Sequence, residues 1–332
     1  MDTSSSYSLV RRWVESLLVW YASGIIFYLI ARFIIKADWR WLLLLHNTLP
    51  YLFAPMLIAL GIALLMRSQR LIGVYLLLSL INTLWIVPIL LPALNPPIAK
   101  DSQLRLVSFN VFPENSELDR AVEWLLSQDA DVIFLQEIPE DTNAFSPLAD
   151  AYPYSASQDI QTGSAVFSRY PITSEETINL ADTPQQRLVL QVNEHEITIY
   201  NLHLYMPLND NEDDMLLLRY DETRRNTQIE QLLSAAAEET GFILLLGDFN
   251  MSEFSPIYAQ INAQFHDAYR VVSGGIGATW PAGASEELDD YLPPLIRLDY
   301  LWYSDGLEAY SASVGTSLGS DHLPFIMEVG FP

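Results

Sequence analysis

Six apolar segments of this chain each deliver a polar side chain able to bind a cation or move a proton. "LVSFN" ends at Asn110, "IFLQE" at Gln136 and Glu137, and "YNLHL" carries His203. "LLLGDFN" carries Asp248 and Asn250, "RLDY" carries Asp299, and "GSDHLPF" carries Asp321 and His322. One such residue after a strand is an ordinary cap or turn. Six strand ends repeating the pattern make an inventory that a rigid scaffold can present together. Asn110, Glu137, Asp248, Asn250 and Asp321 offer hard oxygen atoms, which suit Mg2+ or Mn2+ and not a zinc site of thiolates and imidazoles. Phosphate esters need such a cation, because an anionic centre repels a nucleophile until its oxygens are neutralised. His203, His322 and Asp299 add proton transfer and orientation, so the set calls for a phosphoryl-type substrate.

The segments that carry these residues must be strands. Apolar runs at 104–109, 131–136, 164–168, 187–192, 197–204, 242–247, 297–303 and 324–329 predict them. Ser116 opens a capping-box pattern with Asp119 ahead of a helix through Trp124 and Leu126, and a second helix is expected from about Asp221 to Glu238. Several strands are apolar on both faces and so must be buried on both sides. A pair of packed sheets with helices outside satisfies that demand. The sequence has no internal repeat and no Gly-rich phosphate loop.

The first hundred residues are different. Three apolar stretches, about 17–35, 41–66 and 71–91, are each long enough to cross a bilayer and have no polar face. They predict a three-helix membrane anchor over 1–94, with Trp20, Tyr21, Trp39 and Trp41 as an interfacial aromatic belt. His46, Asn47, Pro50 and Pro55 in the second stretch indicate a kink or a helix contact. A Pro-rich linker follows over 95–102, leaving 103–332 as the catalytic domain. Residues 1–100 carry eight Lys and Arg against three acids, while the remainder carries nine against 38. So acidic a domain is repelled by nucleic acid and by anionic surfaces. Runs such as 211–214 and 286–290 read as solvated loops. The basic N-terminus and the basic loop at Arg67 and Arg70 read as cytoplasmic, which puts the C-terminal domain outside the cytoplasm of a plasma (inner) membrane. Zero cysteines exclude disulfides and thiolate metal sites.

The ordered set "FN", "LQE", "NLHL", "GDFN", "RLDY" and "SDHLP" resembles the endonuclease/exonuclease/phosphatase superfamily over about residues 103–332. The resemblance implies a four-layer α/β sandwich, two packed mostly antiparallel sheets flanked by helices, here preceded by three transmembrane helices. It also implies divalent-metal-dependent cleavage of phosphoester bonds. Carried over, Glu137 would be the main metal ligand, with Asn110 and Asp321 completing the shell. Asp248 and Asn250 would hold the attacking water and the scissile phosphate. His322, oriented by Asp299, would contact the phosphate or accept a proton, and that pair is the favoured base. His203 stands near the leaving group. Trp280 of "ATWP" resembles a family loop whose aromatic residue approaches substrate, or packs; Arg169 of "SRYP" follows a matching family strand and is read either as substrate-binding or as the partner of one of the many acids, whereas Arg224 and Arg225 read as structural.

One departure bears on substrate. The nuclease branch places an acid behind the leaving-group His, and Thr162, Gly163 and Ser164 supply none. Basic patches with interleaved aromatics are also missing. The sequence therefore reads as a membrane-anchored phosphodiesterase acting on lipid headgroups or other small phosphoesters, phosphomonoesters included, with a nuclease acting on DNA or RNA as the alternative. A noncatalytic binding domain on the same fold would have lost ligand positions, and none is lost. Segment 205–222, with the apolar run 215–218, is long enough to lid the site or touch the membrane.

Overall fold

The computed structural model describes residues 3–36, 39–91, 103–157, 163–208, 220–283 and 292–331. The linker 95–102, the acidic runs 211–214 and 286–290, the apolar run 215–218 and Thr162 lie outside the described residues. The chain forms two compact units, one built mainly from residues 1–90, the other from 91–212 with 221–332.

The first unit is helical. α1 (Thr3–Leu29) runs into a π-helical turn, Ile30–Ile35, and α5 (Gln69–Leu90) closes the unit. Between them lie α2 (Arg40–Asn47), α3 (Leu49–Phe53) and α4 (Met56–Leu65). Two helical stretches, Leu9–Ile35 and Gln69–Leu90, are long and apolar enough to cross a membrane. At ~1.5 Å per residue they reach roughly 40 and 33 Å. The second apolar stretch of the sequence is not one straight rod. It breaks at Thr48 and bends by 85°, so the chain has up to three spans only if this bent pair counts as one. Pro50 explains the break: it has no N–H to donate, its ring crowds the preceding turn, and it sits in the first turn of the new helix. Trp20, Ile58, Leu65 and Leu84 project outward with more than two thirds of their surface exposed. Trp39 and Trp41 stack on Phe27, with centroids 6.4 and 6.0 Å away.

The second unit starts with β1 (Gln103–Asn110), α6 (Leu118–Ser127), β2 (Val132–Gln136), α7 (Ser146–Ala151), β3 (Tyr154–Ser157) and β4 (Ala165–Ser168). β5 (Ile172–Leu180), β6 (Thr183–Val192), β7 (His195–His203), α8 (Thr223–Ala237) and β8 (Phe242–Asp248) follow. The chain ends with α9 (Tyr258–Asn262), β9 (His266–Asp267), α10 (Ala268–Val272), β10 (Asp299–Tyr303), β11 (Glu308–Val314) and β12 (Phe325–Gly330). One sheet has the order β11-β12-β1-β2-β4-β3 and the other β5-β6-β7-β8-β10-β9. Each contains a single parallel pair, β1 with β2 and β7 with β8, and is otherwise antiparallel.

Period-two alternation sorts the side chains into layers. Leu106, Phe134 and Val166 of the first sheet meet Leu188, Ile199, Leu244 and Leu301 of the second in the central core. Val107, Ile133 and Leu135 face the other way and take Ala121, Leu125 and Leu148 of the α6 and α7 side. Leu202, Leu245 and Trp302 take Ile229, Leu232 and Leu233 of α8. The result is two packed mixed sheets flanked by helices. Each large aliphatic or aromatic side chain so buried contributes about 1.5 to 3 kcal/mol.

One local expectation changes. α6 starts after Glu117, not at a Ser116 capping box: Asn115 Oδ1 accepts the Glu117 N–H at 2.8 Å, so a side chain one position earlier organises the turn. β5 and β11, on the sheet edges, carry too few apolar residues to stand out by pattern. Ion pairs then tie helices to sheets. Arg187 grips Glu239 with bonds of 2.6 and 2.8 Å, and Tyr200 donates to the same carboxylate at 2.8 Å, fixing the end of α8 to the second sheet.

Candidate active site

The two parallel pairs explain why the polar strand ends meet. Side by side in register, β1 and β2 end at Asn110 and Gln136, with Glu137 next. β7 and β8 end at His203 and Asp248, and antiparallel β10 begins with Asp299 opposite Asp248. Close approach of β7 and β8 dictates glycine before Asp248: a Cβ on Gly247 would lie 2.1 Å from the Leu202 carbonyl oxygen, and its φ is +120°. Glu137 and Asn250 adopt left-handed φ values of 53° and 47°, a cost non-glycine residues bear chiefly where the surroundings hold a functional side chain in place.

Contacts then run from one sheet to the other. Asn110 donates its amide to Glu137 Oε1 at 2.8 Å and to Asp248 Oδ2 at 3.2 Å. His203 Nε2 lies 3.1 Å from Glu137 Oε1 and 3.9 Å from Asp248 Oδ2. Asn250 gives its backbone N–H to Asp248 Oδ1 at 2.8 Å and its amide to Asp248 Oδ2 at 3.1 Å. His322 sets Nδ1 at 2.9 Å from Asp299 Oδ2 and Nε2 at 3.6 Å from Asp248 Oδ2. Trp280 Nε1 donates to Asp321 Oδ2 at 3.3 Å. Asn110, Glu137, His203, Asp248, Asn250, Asp299, Asp321 and His322 are thus together in this cluster, whereas Gln136 donates to Asn201 Oδ1 at 2.7 Å and Ser108 Oγ at 3.2 Å.

Arg169 is not brought to it. β4 pairs Ser168 with Val132, at the end of β2 remote from Glu137, and Arg169 there pairs with Asp129 and lies 3.6 Å from Asp131. Arg225 is fully buried behind the site, donating to the Asn250 carbonyl at 2.8 Å and pairing with Glu222 at 3.0 Å. Arg224 lies over the Tyr205 ring at 4.5 Å.

Other residues support the cluster from behind. Ser320 Oγ donates to the Asn110 carbonyl at 2.7 Å and accepts the His322 N–H at 3.0 Å, joining "GSDH" to β1. Thr279 Oγ1 accepts from the N–H groups of Leu298 and Asp299 at 3.1 and 3.3 Å. Arg297 pairs with Asp267 at 2.6 and 2.9 Å, anchoring the approach to Asp299. The serine lay within a motif already singled out. The others bind backbone or charge far away in sequence, which no local pattern announces.

The electrostatics follow from crowding acids and imidazoles in a small space. Burial pushes the Glu137 carboxyl upward, but His203 and Asn110 outweigh it and bring the pKa down to about 2. Burial raises Asp248 to about 6, against the opposing pull of His322 and with a push from Asp299. Burial would lower His322, yet Asp299, Asp248 and Asp321 together raise it to about 10. Asp321 is raised, first by burial and then, against His322, by the Glu137 charge.

These donors fit a hard divalent cation. Atoms of Glu137, His203 and Asp248 lie within 4.8 Å of one another, as do those of Asp248, Asp299 and His322. Asp321 Oδ1 is buried without a hydrogen-bond partner, a lone pair that a cation would satisfy. Asn110 and Asn250 turn their NH2 groups to the carboxylates of Glu137 and Asp248.

Residues 107–322 match the sequence profile of the Endonuclease/Exonuclease/phosphatase family. The chain belongs to that family. Endonuclease/Exonuclease/phosphatase family members are generally hydrolases of phosphoester bonds that use divalent metal ions. Its fold is similar to that of an endonuclease/exonuclease/phosphatase from Bacteroides vulgatus, with a TM-score of 0.56 at 16% identity over 70% of this chain and 100% of the other. It is also similar to truncated Caenorhabditis elegans TDP2, with a TM-score of 0.52 at 15% identity over 69% of this chain and 98% of the other. Humanized D. rerio TDP2 gives 0.53 at 17% identity, over 69% and 100%. At such identities the likeness is one of fold. No curated protein matches the chain in sequence.

Proposed function

We propose that the chain is a membrane-anchored, Mg2+- or Mn2+-dependent phosphodiesterase whose catalytic domain, 103–332, works outside the cytoplasm, joined by the linker 95–102 to an anchor over 1–94. The reading rests on one observation above all: two sheets converge their carboxylates and imidazoles on a single point, where His322 is flanked by three acids and Asp248 by two imidazoles. Glu137 and Asp321 would hold the cation, with Asn110 and Asn250 bracing Asp248 between them. When bound, the cation neutralises phosphate oxygens and stabilises the departing one.

The remaining work falls to the chain's own groups. Asp248, with its pKa raised to about 6, takes the proton of the attacking water. His322, an imidazolium held by Asp299, donates from Nε2 to a non-bridging phosphate oxygen. The sequence favoured the Asp299 and His322 pair as base; three acids around the ring favour its protonated form instead. His203, also shifted toward its charged form against the effect of burial, gives its proton to the leaving oxygen as the phosphorus–oxygen bond breaks. Trp280 steadies Asp321 at the rim.

The acid excess of the domain and the apolar helices before it favour lipid headgroups or other small phosphoesters over polyanionic nucleic acid. The test is hydrolysis by the full-length chain in detergent, with Mg2+ or Mn2+, of bis(4-nitrophenyl) phosphate, phospholipid vesicles and plasmid DNA. Cleavage of the first two is expected. Failure on all three in folded protein refutes the enzyme, and preference for DNA restores the nuclease.

A further inference from the structure

We infer that Gln185 is a positioning residue for His203, its side-chain carboxamide standing in for backbone that β6 cannot supply. The inference rests on the reading of His203 as the group that protonates the leaving oxygen. β6 and β7 pair antiparallel from Val192 opposite His195 to Gln186 opposite Asn201. Continued by two residues, that register sets His203 opposite Pro184. His203 directs its N–H and C=O toward β6, whereas the next residue, Leu204, directs its N–H to the Asp248 carbonyl on β8 at 2.9 Å. A proline has no N–H to give, so the ladder cannot continue through Pro184.

Gln185 takes over. Its Oε1 accepts the His203 N–H at 2.8 Å and its Nε2 donates to the His203 carbonyl at 2.9 Å. A primary amide offers one acceptor and one donor side by side, the same pair a peptide group presents to a facing strand. Gln185 is only 3% exposed, so water does not compete for these bonds. β8 holds the chain one residue on, and Gln185 holds it from the opposite flank. The imidazole at the strand tip is thereby fixed 3.1 Å from Glu137 and beside Asp248. Gln185 thus controls the backbone that carries this imidazole. Gln186, the neighbouring residue, has a separate partner in Asn201 Nδ2 at 2.9 Å, so the two glutamines do different work.

The experiment compares Gln185→Glu and Gln185→Leu in the full-length chain, in detergent with Mn2+, on two substrates. Gln185→Glu keeps size and acceptor but sets a carboxylate oxygen against the His203 carbonyl; Gln185→Leu removes both bonds. Bis(4-nitrophenyl) phosphate has a leaving group that departs without a proton, and diphenyl phosphate has one that needs it. Expected is a fall in kcat of about tenfold to a hundredfold on diphenyl phosphate, with kcat on the nitrophenyl ester and KM on both nearly unchanged. Equal loss on both substrates, or loss on neither, overturns the inference. Gln185→Glu carries the test if the leucine variant does not fold. His203→Ala is the reference: if it does not distinguish the two leaving groups, the reading of His203 falls and this inference with it. If it does and the Gln185 variants do not, only the Gln185 inference falls.

Discussion

Asp299 and His322, 23 residues apart in sequence, meet in the buried interior with Oδ2 and Nδ1 at 2.9 Å. This contact keeps an imidazolium in a place where burial alone would discharge it. The rate should therefore rise as Asp248 loses its proton around pH 6 and fall as His322 loses its own around pH 10. Asp299→Asn removes the principal opposing charge and should move the alkaline limb of kcat/KM to lower pH, with kcat down by about a hundredfold or more. An unmoved limb would detach His322 from that titration.

Glu137 sits where Asn110, His203 and the neighbourhood of Asp321 converge. Glu137→Gln should weaken Mn2+ binding, followed by calorimetry, by about a hundredfold or more while the thermal transition persists. Chelation of the wild type should abolish turnover, and added Mn2+ should restore it. Turnover that survives chelation would rule out the cation.

The Asp267 carboxyl is buried, and Arg297 and Tyr258 hold its pKa below the ordinary carboxylate value against the opposing effect of burial. A depressed carboxylate contributes stability that is complete above its unfolded pKa and is lost as pH falls through the folded value. Asp267→Asn should therefore cost about 3 to 5 kcal/mol at pH 7, since it leaves buried charge on Arg297 poorly compensated. In urea unfolding followed by tryptophan fluorescence, the gap from wild type should narrow below about pH 4. A gap that widens on acidification would contradict this account.

Gly247 and Gly241 both have positive φ, +120° and +97°, but only at Gly247 would a Cβ collide with backbone. Gly247→Ala should cost about 3 kcal/mol or prevent folding, and Gly241→Ala about 1 kcal/mol. Similar melting temperatures for the two variants would show that β7 and β8 separate easily.

The sequence made the site readable because each functional residue stands where an apolar run ends or is about to begin, and an apolar run is what a buried strand requires. Asn110, Glu137, His203, Asp248, Asn250, Asp299, Asp321 and His322 all came from that rule. Arg169 also follows an apolar run, 164–168, but its strand ends on the far side of the sheet. Register, not composition, decides which end a residue occupies. β5 was missed because its face toward solvent carries Thr173, Glu175 and Thr177, leaving few apolar positions. Gln185 and Thr279 were invisible because what they bind is the backbone of residues 18 to 20 positions away. The bend at Thr48 was half visible: Pro50 marked the place, but no residue type states an angle.

β12 is hydrogen-bonded directly to β1, so the last strand of the domain lies against its first, and Asp321 and His322 stand just ahead of that closing strand. During synthesis the chain passes more than 200 residues between Asn110 and the pair that completes the constellation. A nascent polypeptide arrested anywhere before "GSDHLPF" has left the ribosome holds only a fraction of its reactive groups. Such a chain lacks the partner of Asp299, so the constellation is complete only once β12 has joined β1.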